Sequence, residues 1–167
     1  MPFSIGLVNP KAATNVAAIL RAGGCFGASS IFYTGQRFGY ARDNSKDFAQ
    51  DTKAFRRSIP TIGVDNLLDY KPKQAKTVVV ELVENATALP EYQHPESAYY
   101  IFGPEDGSVS QAIVNQADDV VFIPCRSNLN LAATASVLFY DRLSKLGYDK
   151  SNAALRAARD TNNTLLI

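Results

Sequence analysis

A chain of 167 residues, 46% of them hydrophobic and 20% charged, has the size and balance of one globular domain with a real core. It lacks both the run of about 18 apolar residues that a membrane helix needs and the features of a signal peptide, so we expect a cytoplasmic protein without membrane contact. Cys25 and Cys125 have no Cys or His partner at metal-ligand spacing, which favours reduced, packed thiols and no bound metal.

Charge is unevenly distributed along the chain. The net charge is only +1, yet residues 1–60 contain eight Lys and Arg against three acids, residues 61–125 three against ten, and residues 126–167 six against three. If the first and last thirds meet in space, they offer a basic face to phosphates. Scattered, solvated charges explain the same counts equally well.

The first elements along the chain are a strand, a helix and a second strand. The apolar run Ser4–Val8 predicts a strand, and the alanine-rich segment Asn15–Phe26 predicts a helix that Thr14 can cap. Ser30–Tyr33 predicts the second strand. The segment that follows, Gln36–Pro60, is polar and basic, which indicates a binding insertion with one possible helix at residues 45–55.

The rest of the chain continues the alternation of buried strands and helices. We predict strands at Thr77–Val83, Ala98–Phe102 and Val120–Pro124, and helices at Ser110–Gln116, Leu131–Leu146 and Ser151–Arg159. The predicted fold class is therefore α/β, a single domain over residues 1–167 with a mostly parallel sheet flanked by helices.

Asn15 and Arg21 are polar residues on an otherwise apolar helix. Six positions correspond to about 600° of rotation, so the two side chains are offset by roughly 120° and do not share one solvent face. Arg21 needs a buried carboxylate or a ligand phosphate to offset its desolvation. A structural ion pair is the simpler of these two interpretations.

Two later segments combine a buried strand with residues suited to a ligand. After Ile101-Phe102, the turn Gly103-Pro104-Glu105-Asp106-Gly107 lets the backbone approach a ligand, and its carboxylates favour a cofactor with a positive centre over a phosphate. After Ile123-Pro124, Asn128-Leu129-Asn130 precedes a helix rich in small residues, which Asn130 can cap. Taken singly, a plain turn and a plain cap explain both segments. His94 has no visible partner, and we assign it no role.

Taken in order, the three segments resemble the three motifs of the SpoU (TrmH-like) branch of the SPOUT RNA methyltransferases. The first motif is matched by Asn15, Arg21 and Phe26-Gly27, the second by Phe102 to Glu105 with Gly107, and the third by Ile123-Pro124 with Asn128-Leu129-Asn130. The chain is similar to the short members that methylate a tRNA ribose. The family usually has Ser where this chain has Asn128, which leaves three alternatives: the amide makes the expected polar contact, the contact shifts to Ser127, or it is lost.

The resemblance implies an S-adenosylmethionine-dependent 2'-O-methyltransferase of RNA, tRNA more than rRNA, with a C-terminal trefoil knot and a homodimer. It implies Arg21 and Asn15 as catalytic residues, and for phosphate contacts we add Lys11, Arg42, Arg56 and Arg57. The implied cofactor residues are Phe102, Gly103, Glu105, Gly107, Ile123, Pro124, Asn128, Leu129, Asn130 and Ala133. The alternatives are a non-catalytic RNA-binding or assembly protein that keeps this fold, and a flavodoxin-like enzyme, although the first loop lacks a phosphate-binding pattern.

Overall fold

The computed structural model describes residues 2–39, 51, 53–160 and 162–165, and these contain one sheet of seven strands. The strands are β1 (Phe3–Leu7), β2 (Ala28–Tyr33), β3 (Thr61–Gly63), β4 (Lys76–Val80), β5 (Thr87–Ala88), β6 (Ala98–Phe102) and β7 (Asp119–Phe122). The helices are α1 (Ala13–Phe26), α2 (Gln111–Val114), α3 (Leu131–Leu146) and α4 (Asn152–Ala158), with short 3-10 turns at Phe55–Arg57, Leu67–Tyr70 and Leu89–Glu91.

The strand order is β3-β2-β1-β6-β4-β7-β5, and every adjacent pair is parallel. The predicted α/β class with a parallel sheet is confirmed. The central strands β1 and β6 are buried at all five positions, as their continuous apolar sequences require when both faces of a sheet are covered.

Side chains of β6 alternate between two layers of core. Tyr100 and Phe102 pack on the face covered by α1 and α3, while Tyr99 and Ile101 pack on the face covered by α2 and the turn at Leu67–Tyr70. Because the strands are parallel, their carboxyl ends lie at one edge of the sheet, where ligands of such folds bind.

Several predicted boundaries were wrong. β4 stops at Val80, before the exposed Leu82 and Val83, and α2 is a single turn. α1 begins at Ala13 after an N-cap at Ala12, so Thr14 lies inside the helix and is not its cap. Of the possible helix at residues 45–55, residues 45–50 and 52 lie outside the described residues, and the described part is not α-helical, with a 3-10 turn that begins at Phe55.

The two cysteines are free thiols, but both are exposed and not packed as expected. Among the described residues, no helix has the length and apolar character needed to cross a bilayer.

His94, to which we assigned no role, belongs to a buried network that ties α3 to the sheet. Its Nδ1 lies 2.6 Å from the Tyr100 hydroxyl and its Nε2 lies 2.9 Å from Asp141 of α3. Arg142 donates to Tyr100 at 3.1 Å, which leaves the tyrosine O–H to donate to Nδ1 and Nε2–H to donate to Asp141. Burial lowers the pKa of His94, against the opposing effect of Asp141, so the ring is held neutral.

Protonation of His94 should cost folding stability. Because its folded pKa is lowered from 6.5, the unfolded chain takes up the proton first, so the contribution is complete above about pH 6.5 and is lost as the pH falls. Urea unfolding at about pH 7.5 and about pH 5.5 should show a larger loss of stability for the wild type than for His94→Gln. Equal losses in the two proteins would contradict this role for His94.

Tyr99 and Tyr100 are neighbours in β6 whose hydroxyl groups differ in whether they have hydrogen-bond partners. The buried Tyr99 hydroxyl has no hydrogen-bond partner among the described residues, whereas Tyr100 bonds to both His94 and Arg142. Tyr99→Phe should therefore leave the free energy of unfolding unchanged or raise it, and Tyr100→Phe should lower it by about 1–3 kcal/mol. Urea denaturation of the pair measures the difference, and the reverse order would refute the assignment.

Candidate active site

A cavity of about 300 Å³ opens at the carboxyl edge of the sheet, where β6, β4 and β7 lie side by side. Seven predicted cofactor residues line it: Phe102, Gly103, Glu105, Gly107, Ile123, Asn128 and Leu129. The structure thus brings the second and third motifs to one concave surface. Three others do not line the cavity, namely Pro124, Asn130 and Ala133.

The end of β4 supplies a wall of the cavity that the sequence interpretation missed. Val80, Glu81 and Leu82 line it, although we had predicted that a strand continued through them to Val83. The available signal was the acidic Glu81 at the carboxyl end of an apolar run, since functional side chains gather at that edge of a parallel sheet.

Glu105 joins the second motif to the start of α1. Its carboxylate accepts hydrogen bonds from the backbone amides of Lys11 at 2.8 Å and Ala12 at 3.0 Å, and from Asn15 Nδ2 at 2.8 Å. These amides precede a helix with no capping side chain of its own. Glu105 therefore provides, from 93 residues away, the anion that a helix N-terminus favours.

The same chain of hydrogen bonds extends through Asn15 to the third motif. Asn15 Oδ1 accepts from Asn130 Nδ2 at 3.1 Å, and Asn130 Oδ1 accepts from the amides of Ala132 at 2.8 Å and Ala133 at 3.4 Å. Since a carboxylate can only accept, Glu105 fixes the orientation of the Asn15 amide, which in turn fixes that of Asn130. We call Glu105, Asn15 and Asn130 the motif relay. The predicted capping of α3 by Asn130 is confirmed.

The charged state of Glu105 is stabilised by this arrangement. Partial burial acts to raise its pKa, but the hydrogen bonds from Asn15 and from the amides of Lys11 and Ala12 outweigh burial and hold the pKa below its usual value. The Asn15 amide uses one N–H and its oxygen within the relay, and among the described residues its side-chain hydrogen bonds go to Glu105 and Asn130.

A second link at the mouth of the cavity involves Arg37, which we did not predict. Arg37 Nη1 donates to both oxygens of Asp106, at 2.9 and 3.0 Å, and the guanidinium also donates to the Asn9 carbonyl. Lys11 lies 3.4 Å from Asp106. The hydrogen bond from Arg37, with support from Lys11, lowers the pKa of Asp106. Lys11, expected to contact phosphate, therefore already has an acidic neighbour.

The structure places Asn128, and not Ser127, against the cavity. The Ser127 hydroxyl donates to Asn128 Oδ1 at 3.2 Å, and the Cys125 thiol donates to the Ser127 carbonyl at 2.8 Å. This geometry thus does not support the alternative in which the Ser127 hydroxyl replaces the family's usual serine at the cavity wall.

Arg21 lies on α1, about 9 Å along the helix axis from Asn15, and does not line the cavity. It is partly buried, and its acidic neighbour is Asp160, just after α4. Lys53 Nζ donates a hydrogen bond to Asp160 Oδ1 at 2.5 Å. This hydrogen bond lowers the pKa of Asp160, and the charge of Arg21 adds a smaller effect in the same direction. Among the described residues, the acid recorded beside Arg21 is thus the exposed Asp160 and not a buried carboxylate.

Two of the predicted phosphate contacts, Arg56 and Arg57, are exposed on one turn. The buried carboxylate of Asp51 anchors that turn through the amides of Phe55 and Arg56, both at 2.9 Å. Arg42 lies outside the described residues. In the described part of the chain, no group of three or more His, Cys, Asp or Glu could hold a metal ion.

Asn15→Asp tests the motif relay directly. The substitution places a second carboxylate beside Glu105 and removes the donor that bonded it, so we expect a loss of about 1–3 kcal/mol in unfolding free energy near neutral pH. The loss should shrink as the pH falls and one carboxyl takes a proton. Asn152→Asp, on an exposed residue in the first turn of α4, is the control and should change stability little. Equal urea midpoints for the two variants would contradict the relay.

Comparison with known proteins agrees with this geometry. The structure resembles a TrmH/SpoU tRNA-modifying enzyme from A. aeolicus (TM-score 0.70, 22% identity, 84% of this chain and 73% of that one). It also resembles the SpoU methyltransferase AviRb from Streptomyces viridochromogenes, solved with AdoMet (TM-score 0.68, 17% identity, 83% of this chain and 56% of that one). A third similar structure comes from work on 2-OH methylation of C/U34 on tRNA (TM-score 0.74, 17% identity, 87% of this chain and 96% of that one). At these identities, the likenesses establish the fold.

No curated protein sequence matches the chain. The model of the SpoU rRNA methylase family, however, matches residues 2–140 of this chain, which is most of the 167 residues. The chain therefore belongs to the SpoU rRNA methylase family, a family of S-adenosylmethionine-dependent RNA methyltransferases.

Proposed function

We propose that this protein transfers the methyl group of S-adenosylmethionine to a ribose 2'-hydroxyl of RNA, with tRNA as the substrate class. The observation that carries the proposal is the motif relay, which joins three distant segments around one cavity at the carboxyl edge of the sheet. The tRNA class is supported by the structural neighbour concerned with tRNA C/U34, because the match covers 96% of that chain and 87% of this one.

The cavity fits the cofactor in size and in chemistry. Its volume of about 300 Å³ is within the range of small-molecule sites. Phe122, Leu129 and Leu131 offer apolar surface for adenine, and the glycine backbone at Gly103 permits close approach. When bound, the cofactor would supply an electrophilic methyl carbon for the ribose oxygen, with the neutral thioether as the leaving group.

On the RNA side, Arg21 is the proposed catalytic residue. An arginine is effectively always protonated, so it serves poorly as a base. We assign it the orientation of the ribose and its neighbouring phosphate, so that a phosphate oxygen or another group receives the proton. Because Arg21 does not line the cavity, the RNA must bridge the distance between them. Lys11, Arg42, Arg56 and Arg57 are proposed to contact further phosphates, and Asn15 acts by holding the cofactor loop.

We further propose that the cytoplasmic protein is a homodimer with the trefoil knot of its family. An apolar strip on α3 supports the dimer: Val137 and Tyr140 are 41% and 65% exposed, and Leu129, just before the helix, is 40% exposed. The proposed dimer interface buries this strip next to the cofactor cavity.

A non-catalytic RNA-binding protein is the second candidate, and Asn128 is the feature that favours it. An amide stands at the cavity wall where family members usually have a hydroxyl, and the neighbouring Ser127 hydroxyl is turned toward that amide. Under this alternative the cofactor still binds, but no methyl group is transferred.

Labelled methyl transfer into bulk tRNA and rRNA tests the proposal. We expect label in tRNA, recovered after hydrolysis as a 2'-O-methylated nucleoside. Cofactor binding without transfer into either RNA would favour the non-catalytic alternative, and label in rRNA alone would refute the tRNA assignment.

Arg21→Ala should lower the rate of transfer by about a hundredfold or more, since the cation that orients the ribose and its neighbouring phosphate is lost. Its affinity for the cofactor, measured by calorimetry, should stay unchanged because Arg21 does not line the cavity. The matched control is Arg156→Ala, on the exposed surface of α4. Normal turnover by Arg21→Ala would remove Arg21 from the mechanism.

A further inference from the structure

We propose that Glu81 makes the cavity select the cationic cofactor over its neutral demethylated product, and so promotes product release. This inference rests on the proposed function, because it concerns which ligand the same cavity prefers. It assigns a specificity role to a side chain that the three sequence motifs do not include.

Glu81 is held in a fixed orientation at the cavity wall. It follows directly after β4, and its two carboxylate oxygens accept separate backbone hydrogen bonds, Oε1 from Leu82 at 2.9 Å and Oε2 from Val109 at 3.1 Å. Both donors are neutral amides, so the negative charge is oriented without being neutralised.

The glycine of the second motif lies directly against this carboxylate. A Cβ atom built on Gly103 would stand 2.9 Å from Glu81 Oε2 and 3.2 Å from the Val109 amide nitrogen. The absence of a side chain at residue 103 is therefore what allows the Glu81 carboxylate to share the cavity with the backbone that approaches the ligand.

The charges around the cavity do not cancel. Glu81 and Glu105 both line it, whereas no Lys, Arg or His does so among the residues that the structure describes. Within the same described part of the chain, neither carboxylate has a cationic partner within 4 Å, while the nearby Asp106 is paired with Arg37 and Lys11. Among the described residues, the cavity wall thus presents two carboxylates and no cationic side chain, while Arg37 and Lys11 at the mouth are paired with Asp106.

Methyl transfer changes the charge of the ligand by one unit. The cofactor has a sulfonium, an ammonium and a carboxylate, for a net charge of about +1, and loss of the methyl group converts the sulfonium into a neutral thioether. A partly enclosed cavity with two negative charges attracts the first form more strongly than the second. Because the Glu105 carboxylate is directed at the backbone amides that precede α1, we assign this distinction to Glu81.

Calorimetric titration with three ligands tests the inference: S-adenosylmethionine, S-adenosylhomocysteine, and sinefungin, in which an amine cation replaces the sulfonium. The wild type should bind both cationic ligands about tenfold more tightly than the neutral one. Glu81→Gln, which keeps the shape and removes the charge, should reduce this ratio to about two or less and leave S-adenosylhomocysteine affinity nearly unchanged. Glu84→Gln is the matched control, on an exposed residue of the same loop outside the cavity, and should keep the wild-type ratio.

Glu81→Asp retains the charge and should retain most of the preference, which separates charge from packing. A wild-type ratio near one, or a Glu81→Gln ratio equal to that of the wild type, overturns the inference while the proposed function stands. Failure of the wild type to bind any of the three ligands overturns the proposed cofactor itself. If Glu81→Gln does not fold, the wild-type ratio at low and high salt decides, because charge selection should weaken as salt increases.

Discussion

The interaction on which the rest of the site depends is the hydrogen bond between Asn15 and Glu105, at 2.8 Å across 90 residues of chain. The same Glu105 carboxylate caps α1, which has no capping side chain of its own. The side-chain oxygen of Asn15 then accepts a hydrogen bond from Asn130. Each amide in this series has one orientation, because the charged end can only accept. Three loops that could otherwise move separately are therefore held in one arrangement around the cavity.

α3 is held at both of its ends by polar contacts of different kinds, to α1 at its first turn and to the sheet near its other end. At its first turn Asn130 caps the helix within the motif relay, and near its other end Asp141 and Arg142 join the buried network around His94. The outer face between these ends keeps exposed apolar side chains, Tyr140 among them. This face is the one that the proposed dimer buries, and the N-terminus of the same helix is held beside the cavity.

Prediction succeeded where local signals marked both ends of an element. β6 and α3 were predicted to the residue, since Gly103 ends the apolar run of one and Asn130 with Gly147 bounds the other. The motifs also identified most of the cavity. Glu81 had only the local signal of an acid at the end of an apolar run, and its place at the cavity comes from β4 lying between β6 and β7, an order that periodicity does not contain. His94 was missed for the same reason, since one of its partners, Asp141, is 47 residues away.

A crystal structure of the protein with S-adenosylmethionine at roughly millimolar concentration tests the central claim, that the relay-joined loops form the cofactor site, most directly. The account predicts density for the ligand between the loops at Gly103 and Leu129, with Glu81 beside it and with the contacts from Glu105 to Asn15 and from Asn15 to Asn130 preserved. Ligand density elsewhere on the molecule, or a ligand in this cavity with those two contacts broken, would contradict it.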